Sequence, residues 1–117
     1  MNFDWHELHT NEFEENLKFY TSTFAVNVRK LRGRNGKRYA LLTRVGEPMP
    51  SSGIVESDVN QGWKSFIKVI NVDLAKQKAI RNGAMEVESY DIPRVGSVCE
   101  LVEPSGSKVS FIQYDPR

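Results

Sequence analysis

The chain has 117 residues, of which 39% are hydrophobic and 26% are charged, and its formal net charge is +1. This length is enough for one domain with a hydrophobic core of ordinary size, and the composition is typical of globular proteins. A charge so close to zero gives no general attraction to nucleic acid or to an anionic membrane. Cys99 is the one cysteine, which excludes an intrachain disulfide and is typical of a reducing compartment.

The start of the chain is acidic, with carboxylates at Asp4, Glu7, Glu12, Glu14 and Glu15. A secretory signal would need a basic stretch followed by an apolar one. Nor does any apolar run approach the roughly 20 residues that span a bilayer. We therefore expect a cytoplasmic protein without a membrane-spanning segment.

The first half of the chain opens with a strand-like run, Trp5–Thr10. Alternation along this strand places Trp5, Glu7 and His9 on one face and Leu8 on the other. A helix is expected to begin near Glu12, with Asn11 as its cap. Its apolar residues recur at helical spacing and are expected to pack against Leu8: Phe13, Leu17, Tyr20 and Phe24.

Three more strands follow this helix. Val26–Leu31 and Arg38–Thr43 flank Asn35-Gly36, a dipeptide that favours a tight hairpin because both residues tolerate positive φ. Gly53–Glu56 is expected to be a short last strand. The first half therefore predicts a β-α-β-β-β module.

The second half repeats this order. A strand-like run, Phe66–Ile70, is followed by a helix over Asp73–Asn82, and Gly83 is expected to end the helix. Three strands are predicted after it, at Met85–Tyr90, Ser97–Val102 and Lys108–Tyr114. The repeat predicts one domain of two modules, at about 3–57 and 63–115, joined by a polar linker.

The two modules, the Phe19-Tyr20 pair late in the first helix and the Glu103-Pro104-Ser105-Gly106 turn resemble the glyoxalase/bleomycin-resistance/extradiol-dioxygenase superfamily, also called the vicinal oxygen chelate fold. Many of its members carry a similar turn with Asp in place of Glu103. The resemblance covers roughly residues 3–115. It implies an α+β fold in which the strands of two β-α-β-β-β modules form an open curved cup that binds small ligands, and it implies a homodimer.

Metal-dependent members of that superfamily place His or Glu ligands on the opening and the last strand of each module. The resemblance carries these positions to Trp5, Phe66 and Ser110, and on Gly53–Glu56 it leaves Gly53, Val55 and Glu56 open. Indole and phenyl rings have no lone pair suited to a divalent metal, and a serine hydroxyl is a poor ligand. We therefore expect no metal and no other cofactor.

Glu7 and His9 are the pair most suggestive of chemistry, because a carboxylate beside an imidazole on one strand face can transfer a proton. Ligand contact, a shifted metal site and a solvated polar rim remain open for the same pair. The run His6-Glu7-Leu8-His9 is not a zinc-protease motif, since that motif needs histidines four apart on a helix. Lys68 is expected to neutralise an anionic ligand, to pair with Glu7 or to extend into solvent.

Two further features favour structural roles. The segment from Arg29 to Arg44 is rich in basic residues, which could attract nucleic acid, but Tyr39 is its one aromatic residue and stacking on bases needs more. Basic side chains on a hairpin also prevent its edge from pairing with other chains. Cys99 is expected to be a small buried apolar residue.

The sequence therefore predicts a protein similar to the bleomycin-resistance branch, which binds or sequesters a small organic molecule without a metal. The predicted ligand contacts are Trp5, Glu7, His9, Phe66, Lys68, Ser110 and Ile112. The alternative is a divergent metal-dependent lyase, isomerase or dioxygenase that uses Glu7, His9 and Glu56. Nucleic-acid binding through the basic hairpin ranks last.

Overall fold

The structure is a computed structural model that describes residues 1–33 and 36–116. Two helices and eight strands are described, in the order predicted from the sequence. They are β1 (Phe3–Thr10), α1 (Phe13–Thr23), β2 (Val26–Arg32), β3 (Arg38–Arg44), β4 (Ser52–Glu56), β5 (Gly62–Lys68), α2 (Val72–Arg81), β6 (Met85–Ile92), β7 (Gly96–Val102) and β8 (Lys108–Tyr114).

The chain divides into two compact units. The first, His6–Lys64, is called here the N-terminal unit. The second contains Met1–Trp5 and the residues from Ser65 onward, and is called the C-terminal unit. The N-terminal unit contains α1, β2, β3, β4 and the greater part of β1, and the C-terminal unit contains α2, β6, β7, β8 and the greater part of β5. The predicted α+β class and the β-α-β-β-β repeat are confirmed. Within the described ranges neither helix is long and apolar enough to cross a membrane.

In the N-terminal unit the strand order is β2-β3-β4-β1, with β2 at the edge. The β2–β3 and β3–β4 pairs are antiparallel, and β4 pairs with β1 in parallel. The predicted hairpin is present, closed by a bond from the Gly33 N–H to the Lys37 carbonyl at 2.8 Å. Gly36 has a φ of 71°, while Arg34 and Asn35 lie outside the described residues.

Helix α1 covers one face of this sheet, as predicted from its apolar spacing. Its buried residues meet the same face of three strands in one cluster: Leu8, Phe13, Leu17, Ala40, Leu42 and Ile54. Two expectations for the helix were wrong. Phe24 is exposed, because the helix ends at Thr23 and Phe24 is already extended. Asn11 does not cap the helix, because the Thr10 hydroxyl accepts the Glu12 N–H at 2.9 Å instead.

In the C-terminal unit the strand order is β5-β8-β7-β6. Helix α2 is capped by the Asn71 side chain, which accepts the Leu74 N–H at 3.0 Å, and it ends before Gly83 with φ of 101°. A second cluster packs beneath it: Val72, Ala84, Cys99 and Leu101. Strand β5 ends at Lys68 rather than at Ile70 as predicted, and Ile70 is 97% exposed.

Candidate binding site

The strand register of the N-terminal unit brings three polar side chains to the sheet face opposite α1. Glu7 pairs with Gly53 and His9 with Val55, and Val55 in turn pairs with Tyr39. Residues opposite one another in paired strands share a face. Leu8 occupies the other face, in the cluster beneath α1, so the predicted orientation of β1 is confirmed in this unit.

Glu7 lies at the centre of this group. Its side chain is fully buried, and its two carboxylate oxygens have different partners. The His9 Nε2–H donates to Oε1 at 3.0 Å, and the Tyr39 hydroxyl donates to Oε2. Burial of a carboxylate requires such bonds, because an unpaired buried acceptor costs about 1–3 kcal/mol or more.

Gly53 provides the space for the Tyr39 ring. A Cβ atom at position 53 would lie 2.7–2.9 Å from the hydroxyl, Cζ and Cε1 atoms of Tyr39. Those distances are shorter than van der Waals contact, so a larger residue would displace the ring. Gly53 therefore allows the Tyr39 hydroxyl to cross strand β4 and reach Glu7 on β1.

His9 is the member of the group that reaches solvent, with 14% of its side chain exposed. The carboxylate of Glu7 can only accept, so it assigns the proton to Nε2 of the imidazole. In the neutral ring the other nitrogen, Nδ1, then carries a lone pair. Among the described residues no hydrogen-bond partner of Nδ1 is present. The group can therefore present an oriented imidazole to a ligand or accept a proton from one.

The remaining predicted ligand contacts lie in the C-terminal unit. The β5–β8 register pairs Phe66 with Ser110 and Lys68 with Ile112, which places these four on one face, opposite the cluster beneath α2. Phe66, Ser110 and Ile112 are buried. Lys68 is exposed, and its ammonium lies 5.8 Å from the centre of the Tyr114 ring.

Trp5 also belongs to the C-terminal unit and is buried. Its indole meets the Tyr114 ring edge to face, with 6.4 Å between the ring centres. Tyr114 is in turn held by a bond from its hydroxyl to Asp4 at 2.5 Å. The Trp5 ring is therefore part of a packed group of side chains.

The donor chemistry does not fit the metal centre that the superfamily resemblance implies. Trp5, Phe66 and Ser110 stand where the resemblance places metal ligands. Across residues 1–33 and 36–116 no group of three or more His, Cys, Asp or Glu side chains is arranged to hold an ion. Glu7 and His9 supply only two such side chains, and they bind each other.

The basic hairpin is partly neutralised by carboxylates from neighbouring elements. Arg38 donates to Glu56 from Nη2 at 2.9 Å and to Glu14 from Nη1 at 3.1 Å. Lys30 also pairs with Glu14, at 3.7 Å. The Arg38 backbone N–H, followed by its guanidinium, holds the pKa of Glu56 below its ordinary value of 4.5. These pairs, with β2 at the sheet edge, favour the structural interpretation of the basic residues over nucleic-acid binding.

Cys99 is buried and belongs to the cluster beneath α2, as predicted. Burial raises the pKa of its thiol. Because the thiolate is the reactive form, this environment disfavours a nucleophilic role.

Sequence reasoning missed two participants in the N-terminal group and one buried acid elsewhere. Tyr39 was noted only as an aromatic residue in the hairpin, and Gly53 only as a candidate ligand position. The alternation of β3 could have placed Tyr39 on this face, but not its contact with Glu7, which is 32 positions away. Glu100 is 5% exposed and pairs in register with Ser110, so a second buried carboxylate lies on the face that carries Phe66.

No protein-family model matches the sequence, and no curated protein is significantly similar to it. Solved structures are similar in fold. A methylmalonyl-CoA epimerase from Streptomyces coelicolor, a single-residue variant in complex with 2-nitronate-propionyl-CoA, aligns with a TM-score of 0.72 at 14% identity over 99% of both chains. The epimerase from Mycobacterium tuberculosis aligns with a TM-score of 0.69 at 13% identity over 97% of this chain and 88% of its own.

A hypothetical protein from Bacillus halodurans aligns with a TM-score of 0.70 at 16% identity, over 99% of this chain and 96% of its own. The two epimerases have the vicinal oxygen chelate, or glyoxalase-like, fold. The fold predicted from the sequence is therefore confirmed. At 13–16% identity the similarity establishes the fold alone.

Proposed function

We propose that this chain, which has the glyoxalase-like fold, binds a small organic molecule without a metal ion at the sheet face that carries Glu7, His9 and Tyr39. The observation that carries the proposal is the fully buried Glu7, bonded through one oxygen to a partly exposed His9 and through the other to Tyr39. Such a group holds the imidazole in one orientation. Preorganised polar groups of this kind give small-molecule sites their selectivity.

The absence of a metal is part of the proposal, and the chemistry of the donors supports it. Rings at Trp5 and Phe66 offer no ligand atom, and each oxygen of Glu7 already accepts a hydrogen bond. The sequence also predicts ligand contacts for Trp5, Phe66, Lys68, Ser110 and Ile112, which remain predictions to be tested one variant at a time. The predicted homodimer and cytoplasmic location likewise remain predictions.

A thermal-shift screen tests the proposal, because a ligand that binds only the native state raises the thermal midpoint. The panel contains aromatic antibiotics, glutathione conjugates and short carboxylic acids. Propionyl-CoA is added because a structural neighbour binds a related compound. We expect one class to raise the midpoint in a saturable way and to shift the His9 imidazole signals in nuclear magnetic resonance spectra.

The two histidines of the chain provide a matched control. His6 lies on the same strand as His9 but on the opposite face. We expect His9→Ala to weaken binding about tenfold, the value of one lost hydrogen bond to a polar ligand group, and to lower the thermal midpoint as well, because the buried Glu7 loses the donor to its Oε1. His6→Ala should leave binding unchanged. Equal effects of the two variants would contradict the proposed site.

Metal analysis separates this proposal from the metal-dependent alternative. Protein purified without chelator should contain no stoichiometric zinc, nickel, iron or manganese. A stoichiometric metal that is lost in the Glu7→Gln and His9→Ala variants would overturn the proposal. It would favour the divergent lyase, isomerase or dioxygenase instead.

A further inference from the structure

A second concave surface of the N-terminal unit lies on the side of the sheet that carries α1. It is a cleft of about 470 Å³ formed where the last turn of α1 meets the ends of β3 and β4. We call it the aromatic cleft, after its lining by Tyr20, Phe24, Leu42, Arg44, Ser52 and Trp63. Glu7 and His9 are on the opposite sheet face and contribute nothing to it.

The aromatic walls of the cleft are held in place although they reach solvent. The Trp63 indole N–H donates to the Tyr20 hydroxyl at 3.0 Å, and the two rings meet at 85° with 5.5 Å between their centres. The Tyr20 and Phe24 rings are nearly parallel, at 16°. Trp63 is nevertheless 44% exposed and Phe24 58% exposed. Exposed rings that are fixed in this way provide a preorganised surface for a flat apolar group.

A cation lies at the edge of this apolar surface. Arg44 lines the cleft from the end of β3, and it makes no ion pair with any described residue. Arg38 of the same hairpin, by contrast, is paired with Glu56. The Ser52 hydroxyl, which also lines the cleft, makes no hydrogen bond with the described side chains. A guanidinium without an ion-pair partner and a hydroxyl that line the same cleft match a carboxylate, which can accept hydrogen bonds from such donors.

We propose that the aromatic cleft binds a small aromatic carboxylate, with its ring against Phe24 and Trp63 and its carboxylate at Arg44. The volume lies within the about 300–1,000 Å³ that is typical of small-molecule pockets. Several exposed large apolar residues around one cleft mark a functional surface rather than chance exposure. Arg44 then determines the sign of the ligand's charge, and the rings determine its shape.

The test uses 2-naphthoate as the probe and the two tryptophan indole N–H signals as the readout. One signal belongs to Trp63 in the cleft and the other to the buried Trp5, and Trp63→Phe assigns them. We expect naphthoate to shift the Trp63 signal in a saturable way and to leave the Trp5 signal in place. Since a charge-assisted hydrogen bond is lost, Arg44→Gln should raise the Kd about tenfold or more.

Two controls isolate the charge. Neutral 2-naphthamide should bind wild type and Arg44→Gln alike. Arg29→Gln removes another exposed arginine from β2, at a position paired with Leu41 on the other face of the hairpin, and it should not change the Kd of naphthoate. A Trp63 signal that does not move at millimolar naphthoate would overturn the proposal. So would an equal loss of affinity in the Arg29 and Arg44 variants.

Sedimentation velocity tests whether a second copy of the chain covers the cleft instead. If the protein is a dimer that Trp63→Glu dissociates, the cleft is an interface and the ligand proposal is wrong. If wild type and Trp63→Glu sediment as particles of the same size, no second copy covers the cleft, which supports the ligand proposal. Naphthoate binding in the aromatic cleft is independent of the proposed site at Glu7 and His9. His9→Ala should therefore leave the naphthoate-induced shift of the Trp63 signal intact.

Discussion

At the scale of single residues, the position of Tyr39 depends on a missing side chain at Gly53. A methyl group there would lie under 3.0 Å from three atoms of the Tyr39 ring and hydroxyl. The ring is buried and cannot easily move away. The bond from the Tyr39 hydroxyl to Glu7 therefore depends on glycine for steric reasons and not for backbone conformation.

Gly53→Ala is expected to lower the free energy of unfolding by about 1–3 kcal/mol, the usual cost of overpacking a buried site. Urea denaturation measures this change in the free energy of unfolding. Gly33→Ala is the matched control, because its Cβ would meet the same ring at an ordinary 3.6 Å. In a Tyr39→Leu background the cost of Gly53→Ala should fall, since the clashing atoms are gone. A full cost in that background would assign it to something other than the ring.

The Glu7 group also shows what residue types alone leave open. Alternation along β1 placed Glu7 and His9 side by side, and the structure joins them at 3.0 Å. The alternation along β1 gave no indication of how deeply Glu7 is buried, because that burial depends on β3 and β4. Their register is specified by which face of each strand is buried and by the turns between strands, so it depends on contacts between distant segments. The same dependence hid Tyr39, whose partner lies on a strand that is not its neighbour.

At the scale of elements, the helices and strands were predicted to within about four residues at every boundary, because their apolar periodicity is strong. The errors lie at their ends. Residue type favoured Asn11 as the cap of α1, but the hydroxyl of Thr10 is the group that reaches the Glu12 N–H. End geometry depends on how the preceding strand enters the helix, which periodicity does not describe.

The contact between β3 and β4 gives a pH dependence. Glu56 accepts the Arg38 backbone N–H at 3.0 Å and two guanidinium bonds, and these hold its pKa below 4.5 in the folded protein. A depressed folded-state pKa stabilises the protein above the unfolded-state pKa. This stabilisation is lost as pH falls below about 4.5 through the folded-state pKa.

Thermal unfolding from about pH 6 to about pH 3 spans this window and measures the effect. We expect the midpoint of wild type to fall below about pH 4.5 more steeply than that of Glu56→Gln, so that the two proteins become alike in acid. Glu47→Gln is the control, because Glu47 is exposed and forms no salt bridge with the described residues. A Glu56→Gln curve parallel to that of wild type would show that the Arg38–Glu56 contact adds no pH-dependent stability.

At the scale of the whole molecule, the fold is similar in proteins whose sequences differ at most positions. The fold is shared with proteins that are 13–16% identical to this chain. A two-module fold requires only that apolar residues recur at the right period and that turns fall between elements, and many sequences meet these conditions. A ligand is selected by a few side chains, and the fold does not specify which ones. The fold could therefore be predicted from the sequence, whereas the ligand could not.

Each module has a core of its own, so mutations in the two cores should affect stability independently. The cluster beneath α1 contains Leu17, the cluster beneath α2 contains Leu101, and the two share no residue. Leu17→Ala and Leu101→Ala should each lower the free energy of unfolding by about 2–5 kcal/mol through lost contacts and a residual cavity. Because the clusters share no partner, the double variant should show the sum within about 0.5 kcal/mol.

A double-variant cost that departs from the sum by more than about 1 kcal/mol would mean that the cores are energetically coupled. Guanidinium denaturation followed by circular dichroism measures all four proteins, and Val45→Ala, at an exposed surface position, should change little.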